Sequence, residues 1–487
     1  MLGALHFKKL GHMEVTEKPK IVFDPLYGFI HLTNLEWEII HTPFYQRLRW
    51  IKQLGFTFYT FPGAEHSRFG HSIGVMFNAH KILQTLGSRG VSDKELLDNS
   101  FQSPAKTYHQ SLRLAALLHD LGTFMFSHTT EMAYIRYGET TKDKNGKGHP
   151  DDHEHLGSYI IKNTDYPGGI TFILKKYGIS PQNISDLVKG VDPSILANQI
   201  LHSEIDCDRM DYLLRDAHYS GMKYGTYDRD YLLHHFRIAK VNGHDILTIN
   251  QNAMHAVEDF LMARFAWYSQ VIRSARGARF DAIAEEVTYY MLEKGLIYSY
   301  SQLMDMIANR PFEFYGFNDQ YFMQQIHKHY LEGNFDRSPR IKDMAYCLLF
   351  EKAPKTIRLE EFKQRILNQD EDHVNDKIIK HAEDKAREIQ EVLKKKGTDK
   401  DWVLVDIPKK HIVFVKSRRK IVKSKSNENL LLERDPAKIL TDSGDVKLLG
   451  DMENSIISNL QNKFNFVPNI FCSESAYEIL KNEGIIP

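Results

Sequence analysis

Two short strings and one distant carboxylate have the residue types and spacing to do chemistry. The strings are His66-Ser67-Arg68-Phe69-Gly70-His71 and Leu117-Leu118-His119-Asp120-Leu121-Gly122. The carboxylate is Asp208, in Ile205-Asp206-Cys207-Asp208-Arg209. Together His71, His119, Asp120 and Asp208 read as one metal site of the pattern H…HD…D. Nitrogen and carboxylate donors suit Mn, Fe, Ni or Zn better than Ca, whose preferred ligands are all oxygen. Such an ion polarises a phosphoryl oxygen and lowers the pKa of its bound water, which points to phosphoester hydrolysis. A bare His-Asp pair says little in a chain with 24 His, so the surroundings matter. Arg113-Leu114-Ala115-Ala116-Leu117-Leu118 is an apolar helical run that the pattern ends at Gly122. Ionisable residues at the end of a buried helix are costly unless paired or bound to metal. His71 opens a second helical pattern with Ile73, Met76, Phe77, His80 and Leu83 on its buried side, so the ligands would come from several helices.

Further motifs carry a family resemblance. They are Asp24-Pro25-Leu26-Tyr27-Gly28, the run from His41-Thr42-Pro43 through Gln46-Arg47-Leu48-Arg49-Trp50-Ile51-Lys52-Gln53-Leu54-Gly55, and Phe61-Pro62-Gly63-Ala64. Phe126-Ser127-His128 with Glu131, His153-Glu154, Asp208-Arg209-Met210-Asp211-Tyr212 and Arg215-Asp216 continue the series. From residue 20 to about 280 the chain resembles the HD-domain deoxynucleoside triphosphate triphosphohydrolases. That group includes bacterial dNTPases and the vertebrate enzyme that joins an HD domain to a sterile alpha motif.

The resemblance implies hydrolysis of deoxynucleoside triphosphates to deoxynucleoside and inorganic triphosphate, by metal-hydroxide attack on the α-phosphorus. The metal set is the one above, and Mg would accompany the triphosphate. Arg68 would contact the phosphate next to the sugar. Arg209 stands where the vertebrate enzyme has lysine; its planar fork can hold two phosphate oxygens. Tyr212 would donate to a terminal phosphate, Arg264 matches a later helix arginine, and Gln53 and Asp216 match residues on the sugar 3′-hydroxyl. Leu54, beside Gln53, belongs to the same substrate-binding set. His128, Glu131 and His153 form the acid–base group, with His128 protonating the departing 5′-oxygen. His128 and Glu131 share a face if helical, and a carboxylate beside His153 raises its pKa and fixes its tautomer. His155 is the alternative to His153, and His149 reads as exposed.

Three departures stand out. Thr123 occupies the position of a second His three residues after the HD aspartate, so turnover slower than in relatives, with a gain on Thr123→His, is expected. Asn250 and Asn252 replace basic residues of the vertebrate activator site, and His41 replaces its guanine-reading aspartate, although Lys20, Gln46 and Arg49 remain. Activation of the vertebrate type is therefore not expected. Ile272 falls near the place of a tyrosine that excludes the ribose 2′-hydroxyl, which weakens the preference for deoxy over ribo substrates.

The expected fold is mostly α: a lead over 1–19, a helical HD core over 20–300 with short hairpins, and a small α+β lobe over 301–487 serving assembly or regulation. Phe23 to Leu32 reads as a hairpin around Gly28, Ile246 to Ile249 as a strand, Met254 to Ile272 as a long helix and Thr356 to Lys396 as a charged helix. Trp402 to Val405 and His411 to Val415 read as strands. The Thr140–Asp152 stretch is a polar loop. Acidic and basic residues are equal at 63 each, which gives no global pull toward nucleic acid or membrane. No apolar run reaches the length of a membrane span, no signal peptide is visible, and three scattered Cys exclude a disulfide framework. A cytoplasmic homo-oligomer, dimer or tetramer, is the expectation. Two other readings stay open. An HD phosphodiesterase or nuclease would need a basic groove, offered only by the eight Lys and Arg between Lys409 and Lys425. A nucleotide-binding regulator with weak turnover is the non-enzymatic reading.

Overall fold

The computed structural model describes residues 20–87, 89–98, 102–140, 152–272, 275–357, 366–368, 372–407, 412–413, 427–460, 463–465 and 468–486. The lead over 1–19, nearly all of the polar loop with His149, and the 409–425 basic segment apart from Ile412–Val413 lie outside them. The fold is mostly α.

Strands β1 (Ile21–Asp24) and β2 (Gly28–His31) form the expected antiparallel hairpin. Helix α1 (Asn34–Ile40) follows, with Thr33 and Glu36 closing a capping box. Glu36 is fully buried and bridges to Arg113 at 2.6 Å. Short α2 (Pro43–Gln46) leads to α3 (Arg68–Thr85), which runs through the middle of the fold and packs on α5 (Pro104–Leu118) and α11 (Cys207–Ser220). Ile73, Val75, Met76, Ala79, Ile82 and Leu83 are all buried, so α3 meets protein over most of its circumference. Gly74 makes the α3–α11 approach possible: a Cβ there would sit 1.9 Å from Asp211 Oδ1.

A buried polar relay crosses α3 and α5, beside α4 (Asp93–Leu97). The Val91 N–H donates to His109 Nδ1 at 2.9 Å, so His109 carries its proton on Nε2 and donates to His80 Nδ1 at 2.9 Å. His80 Nε2 then donates to Asp93 Oδ1 at 2.7 Å. Burial, with Arg113 adding to it, lowers both rings; His109 falls to about 4 and His80 lower still.

Helices α6 (His128–Thr140), α7 (His153–Asn163), α8 (Ile170–Lys176), α9 (Pro181–Val188) and α10 (Ile195–His202) precede α11, and α12 (Arg229–His235) follows it. Strands β3 (Phe236–Val241) and β4 (His244–Asn250) pair antiparallel and lead into α13 (Met254–Trp267), which continues as a π turn to Ile272. Helices α14 (Ala275–Glu293), α15 (Tyr300–Asn309), α16 (Pro311–Tyr315), α17 (Asp319–Leu331) and α18 (Pro339–Leu349) complete the helical body. The principal core does not stop at residue 300: Leu303, Met306, Phe314, Phe317, Phe322, Ile341 and Leu348 belong to it, as do Ile439 and Phe471.

Thr356 to Lys396 is not one helix. β5 (Lys355–Ile357) and β6 (Ile366–Asn368) come first, and α19 begins only at Asp372 (Asp372–Lys396). Pairing with later strands overrides the local helical pattern. After β7 (Val403–Asp406) and β8 (Ile412–Val413), β9 (Lys438–Leu440) and β10 (Val446–Leu448) return to extend the β3–β4 sheet, with β9 parallel to β4. β11 (Lys463–Asn465) joins β6 and β8, and β12 (Asn469–Cys472) lies between β5 and β7. Ile357, Ile389, Leu393, Val403, Ile470 and Leu480 close a second, smaller core there. No described helix is long and apolar enough to cross a membrane.

Candidate active site

His71 lies in the first turn of α3, fully buried, and presents Nε2 to a cluster of acceptor atoms. Asp208 Oδ1 is 3.1 Å away and Asp120 Oδ2 3.6 Å away. His119 Nε2 is 3.5 Å from Asp120 Oδ2 and 3.7 Å from Asp208 Oδ1. Each ring is oriented from behind. His71 Nδ1 donates to Asp211 Oδ2 at 2.7 Å, and His119 Nδ1 donates to the Ala116 carbonyl at 2.7 Å. The free Nε2 of each therefore faces the carboxylates, the usual support for a metal-binding imidazole. Burial would lower the His71 pKa, yet Asp208 and Asp211 hold it up at about 9. A buried cation is what this cluster calls for: His71, His119 and Asp208 offer donor atoms close enough together to share a metal ion, and Asp120 borders them while paired with Arg68.

The local folding differs from the sequence expectation in one respect. α5 ends at Leu118, not at Gly122; His119 is its C-cap and Asp120 lies in the following turn. The early stop lets Gly122 lie directly on α7, where a Cβ would meet the His153 carbonyl at 2.2 Å. That contact delivers His153 to the site.

His128, Glu131 and His153 form the second cluster. Both rings turn Nδ1 to one buried carboxylate: His128 at 2.7 Å from Glu131 Oε2, His153 at 2.6 Å from Oε1. The His153 backbone N–H adds a third bond to Oε1 at 2.8 Å. The trio is close enough to share an ion, yet with Nδ1 of both rings turned to Glu131 the carboxylate orients the two imidazoles and accepts from each. Burial opposes the charged form of His153, but Glu131 and, more weakly, Asp120 hold it at about 9. His155 turns to Asp152 at 2.9 Å instead, so His153 is the histidine of the trio.

Arg68 ties the first cluster to the turn before the second. Its Nη1 meets Asp120 Oδ2 at 2.6 Å, its Nε meets Ser127 Oγ at 3.0 Å, and its Nη2 reaches the Gln53 carbonyl at 3.3 Å. Despite burial, Arg68 and the neighbouring imidazoles hold Asp120 well below the usual carboxylate range. The remaining substrate candidates fall into two groups. Arg209 donates to the Ser203 carbonyl at 2.5 Å and pairs with Asp206. Arg264 is buried against Glu204 at 3.5 Å. The Tyr212 ring packs on Trp267 at 5.0 Å, tilted by 35°, and lies within electrostatic range of both arginines. In the other group, Asp216 Oδ1 pairs with His66 Nε2 at 2.7 Å, and the Gln53 N–H donates to the His66 carbonyl at 2.9 Å. Gln53 Oε1, His66 Nδ1 and Asp216 Oδ2 are buried without a hydrogen-bond partner, which suits a hydroxyl-bearing ligand. Leu54 is buried beside them.

Thr123 lies in the turn that follows Asp120, its N–H donating to the Asp120 carbonyl at 3.0 Å. It is 1% exposed, its hydroxyl has no partner, and its carbonyl is fixed by Arg47 at 2.7 Å. Three supporting residues escaped the sequence reading. Asp211, three after Asp208 on one helix, carried a spacing signal that could have found it. His66 stood in the first string and Ser127 in the Phe126-Ser127-His128 motif, each without a role.

Residues 68–216 match the family model of the HD domain, a span that begins at Arg68 and ends at Asp216. The chain carries an HD domain. Among curated relatives, an uncharacterized protein of Bacillus subtilis, YwfO, is 34% identical over 257 residues, 52% of this chain and 51% of that one. The human deoxynucleoside triphosphate triphosphohydrolase SAMHD1 is 30% identical over 252 residues, 46% of this chain and 37% of that one. The match thus spans about half the length of the first relative and less of the human one. A solved structure of a hypothetical protein from Aquifex aeolicus has the same fold, with a TM-score of 0.65 at 23% identity, covering 95% of this chain and all of that one.

Proposed function

We propose that the chain hydrolyses deoxynucleoside triphosphates to deoxynucleoside and inorganic triphosphate. The observation that carries this reading is Arg68, which ties the His71–His119–Asp120–Asp208 cluster to the turn just before His128. The likeness to the human dNTP triphosphohydrolase supports the substrate class.

When bound, a divalent ion supplies a polarised phosphoryl oxygen and an activated water. His71 and His119 would hold it through Nε2, and Asp120 and Asp208 through their carboxylates. Arg68 meets the α-phosphate from the side of Asp120, where a guanidinium fork suits paired phosphate oxygens. His128 gives its proton to the departing 5′-oxygen, and Glu131 holds that ring through Nδ1 so that Nε2 points outward. His153, charged at neutral pH, offsets the negative charge gathering on the α-phosphate. Arg209, Tyr212 and Arg264 take the outer phosphates, and Gln53, Leu54 and Asp216 take the sugar. The resemblance also carries the proposal of a homo-oligomer, which sedimentation would check.

The test is turnover of each dNTP and NTP with Mn or Mg in oxygen-18 water. Attack on the α-phosphorus puts the label in inorganic triphosphate. Pyrophosphate or orthophosphate as first product would overturn the reading.

A further inference from the structure

The turn before α6 holds an unusual backbone. Phe126 has φ +51° and Ser127 φ +58°, two consecutive side-chain-bearing residues in the left-handed region. Side chains are disfavoured there, and such strain persists only where the surroundings over-determine it. The strain has a use. Ser127 Oγ donates to the Lys52 carbonyl at 2.6 Å and accepts from Arg68 Nε at 3.0 Å, and the next residue is His128.

What holds the turn comes from outside the matched segment. Asp319, the first residue of α17, accepts from the Phe126 N–H through Oδ1 at 2.6 Å and from the Lys52 N–H through Oδ2 at 2.8 Å. One buried carboxylate thus binds both sides of the Ser127–Lys52 contact. Arg47 fixes the approach to the turn, donating to the carbonyls of Leu121 at 3.1 Å, Thr123 at 2.7 Å and Phe317 at 2.8 Å. The Phe126 ring is stacked on Phe56 at 4.1 Å and edge-on to Phe322 of α17 at 5.6 Å.

We propose that Asp319 is a positioning residue for hydrolysis: it holds the strained 126–127 turn so that Ser127 aims Arg68 and His128 faces the substrate. The inference rests on the proposed function for its catalytic readout and on geometry alone for its structural one. Asp319→Asn keeps the shape and replaces one acceptor oxygen by an NH₂ group that cannot receive an N–H. Since misplacement by about 1 Å can reduce rate about 10²-fold, kcat should fall ten- to a hundredfold. KM should change less than kcat, and metal content should stay at the wild-type level. Ser127→Ala should lower kcat as well, and the double variant should be no slower than the slower single one, because both act through one contact.

Hydrogen exchange on the metal-loaded full chain gives the second readout. Peptides over 50–54 and 123–130 should exchange at least tenfold faster in Asp319→Asn, with α3 and α11 unchanged. Unchanged exchange in those peptides overturns the inference, as do multiplied effects of the two substitutions or a parallel loss of metal. If the wild type hydrolyses no nucleoside triphosphate, the functional reading fails, and the exchange pattern still decides whether Asp319 holds the turn.

Discussion

Replacing Glu131 by Gln tests the proton-handling group at its centre. Glu131 is 4% exposed and receives the Nδ1 protons of both His128 and His153. Burial alone would lower the His153 pKa; Glu131 is the largest influence against it, and the ring stands at about 9 against an ordinary 6.5. A histidine raised in this way contributes stability fully below about pH 6.5 and loses it as pH climbs through 9. The gap of about 2.5 pH units corresponds to about 3.4 kcal/mol. In the Gln variant the carboxylate charge is gone while the burial remains, so His153 should titrate at 6.5 or below. At pH 7.5 its charged fraction then drops from nearly all to about a tenth. Turnover at that pH should fall at least tenfold, with about 10⁴-fold as the ceiling for a lost acid–base group. The assay is kcat from pH 5.5 to 9.5, with His153 followed by nitrogen-15 NMR. The alkaline limb near 9 should move to 6.5 or lower while metal content holds. A His153 that still titrates near 9 refutes the reasoning.

Three further outcomes follow from the geometry. Asp208→Ala, which opens a partly exposed position, should lower bound metal by elemental analysis and abolish hydrolysis while circular dichroism is unchanged. His109 stays neutral to about pH 4, whereas the unfolded chain protonates it near 6.5, so stability falls as pH drops through that window. By linkage its share between pH 7.5 and 5.5 is about 1.3 kcal/mol, and denaturant melts of His109→Gln should show a pH dependence weaker by about that amount. Thr123→His should not raise turnover. The closed site around Thr123 makes it an overpacking change, of about 1–3 kcal/mol, seen as a lower Tm at unchanged metal content.

The cluster of His71, His119 and Asp208, with Asp120 at its edge, was legible because each part is local: a His in the first turn of a helix, a His-Asp pair after an apolar run, a carboxylate opening α11. The trio of His128, Glu131 and His153 was legible from residue types and resemblance, and the structure turns His153 to Glu131 and His155 to Asp152. Helix content was legible from apolar spacing. The start of the 356–396 stretch was misread because β5 is made by its partner strand β12, far along the chain, while Asp372–Lys396 is the charged helix expected. Thr123 stands in the turn after Asp120 as the pattern implies, but its closed surroundings were not legible, since Arg47 binds that turn from 76 residues away. Asp319 acts across 193 residues, on backbone groups that have no signature in the sequence.

The clamp on the catalytic turn bears on how such a chain can be recombined. Arg47 precedes the 68–216 segment and Asp319 follows it by more than a hundred positions. A graft of that segment alone would transfer every metal donor yet leave the carbonyls of Leu121 and Thr123 and the amide of Phe126 to the recipient's accidents. The exchangeable unit is the segment together with both flanks, and a chimera cut at its edges should bind metal before it regains speed.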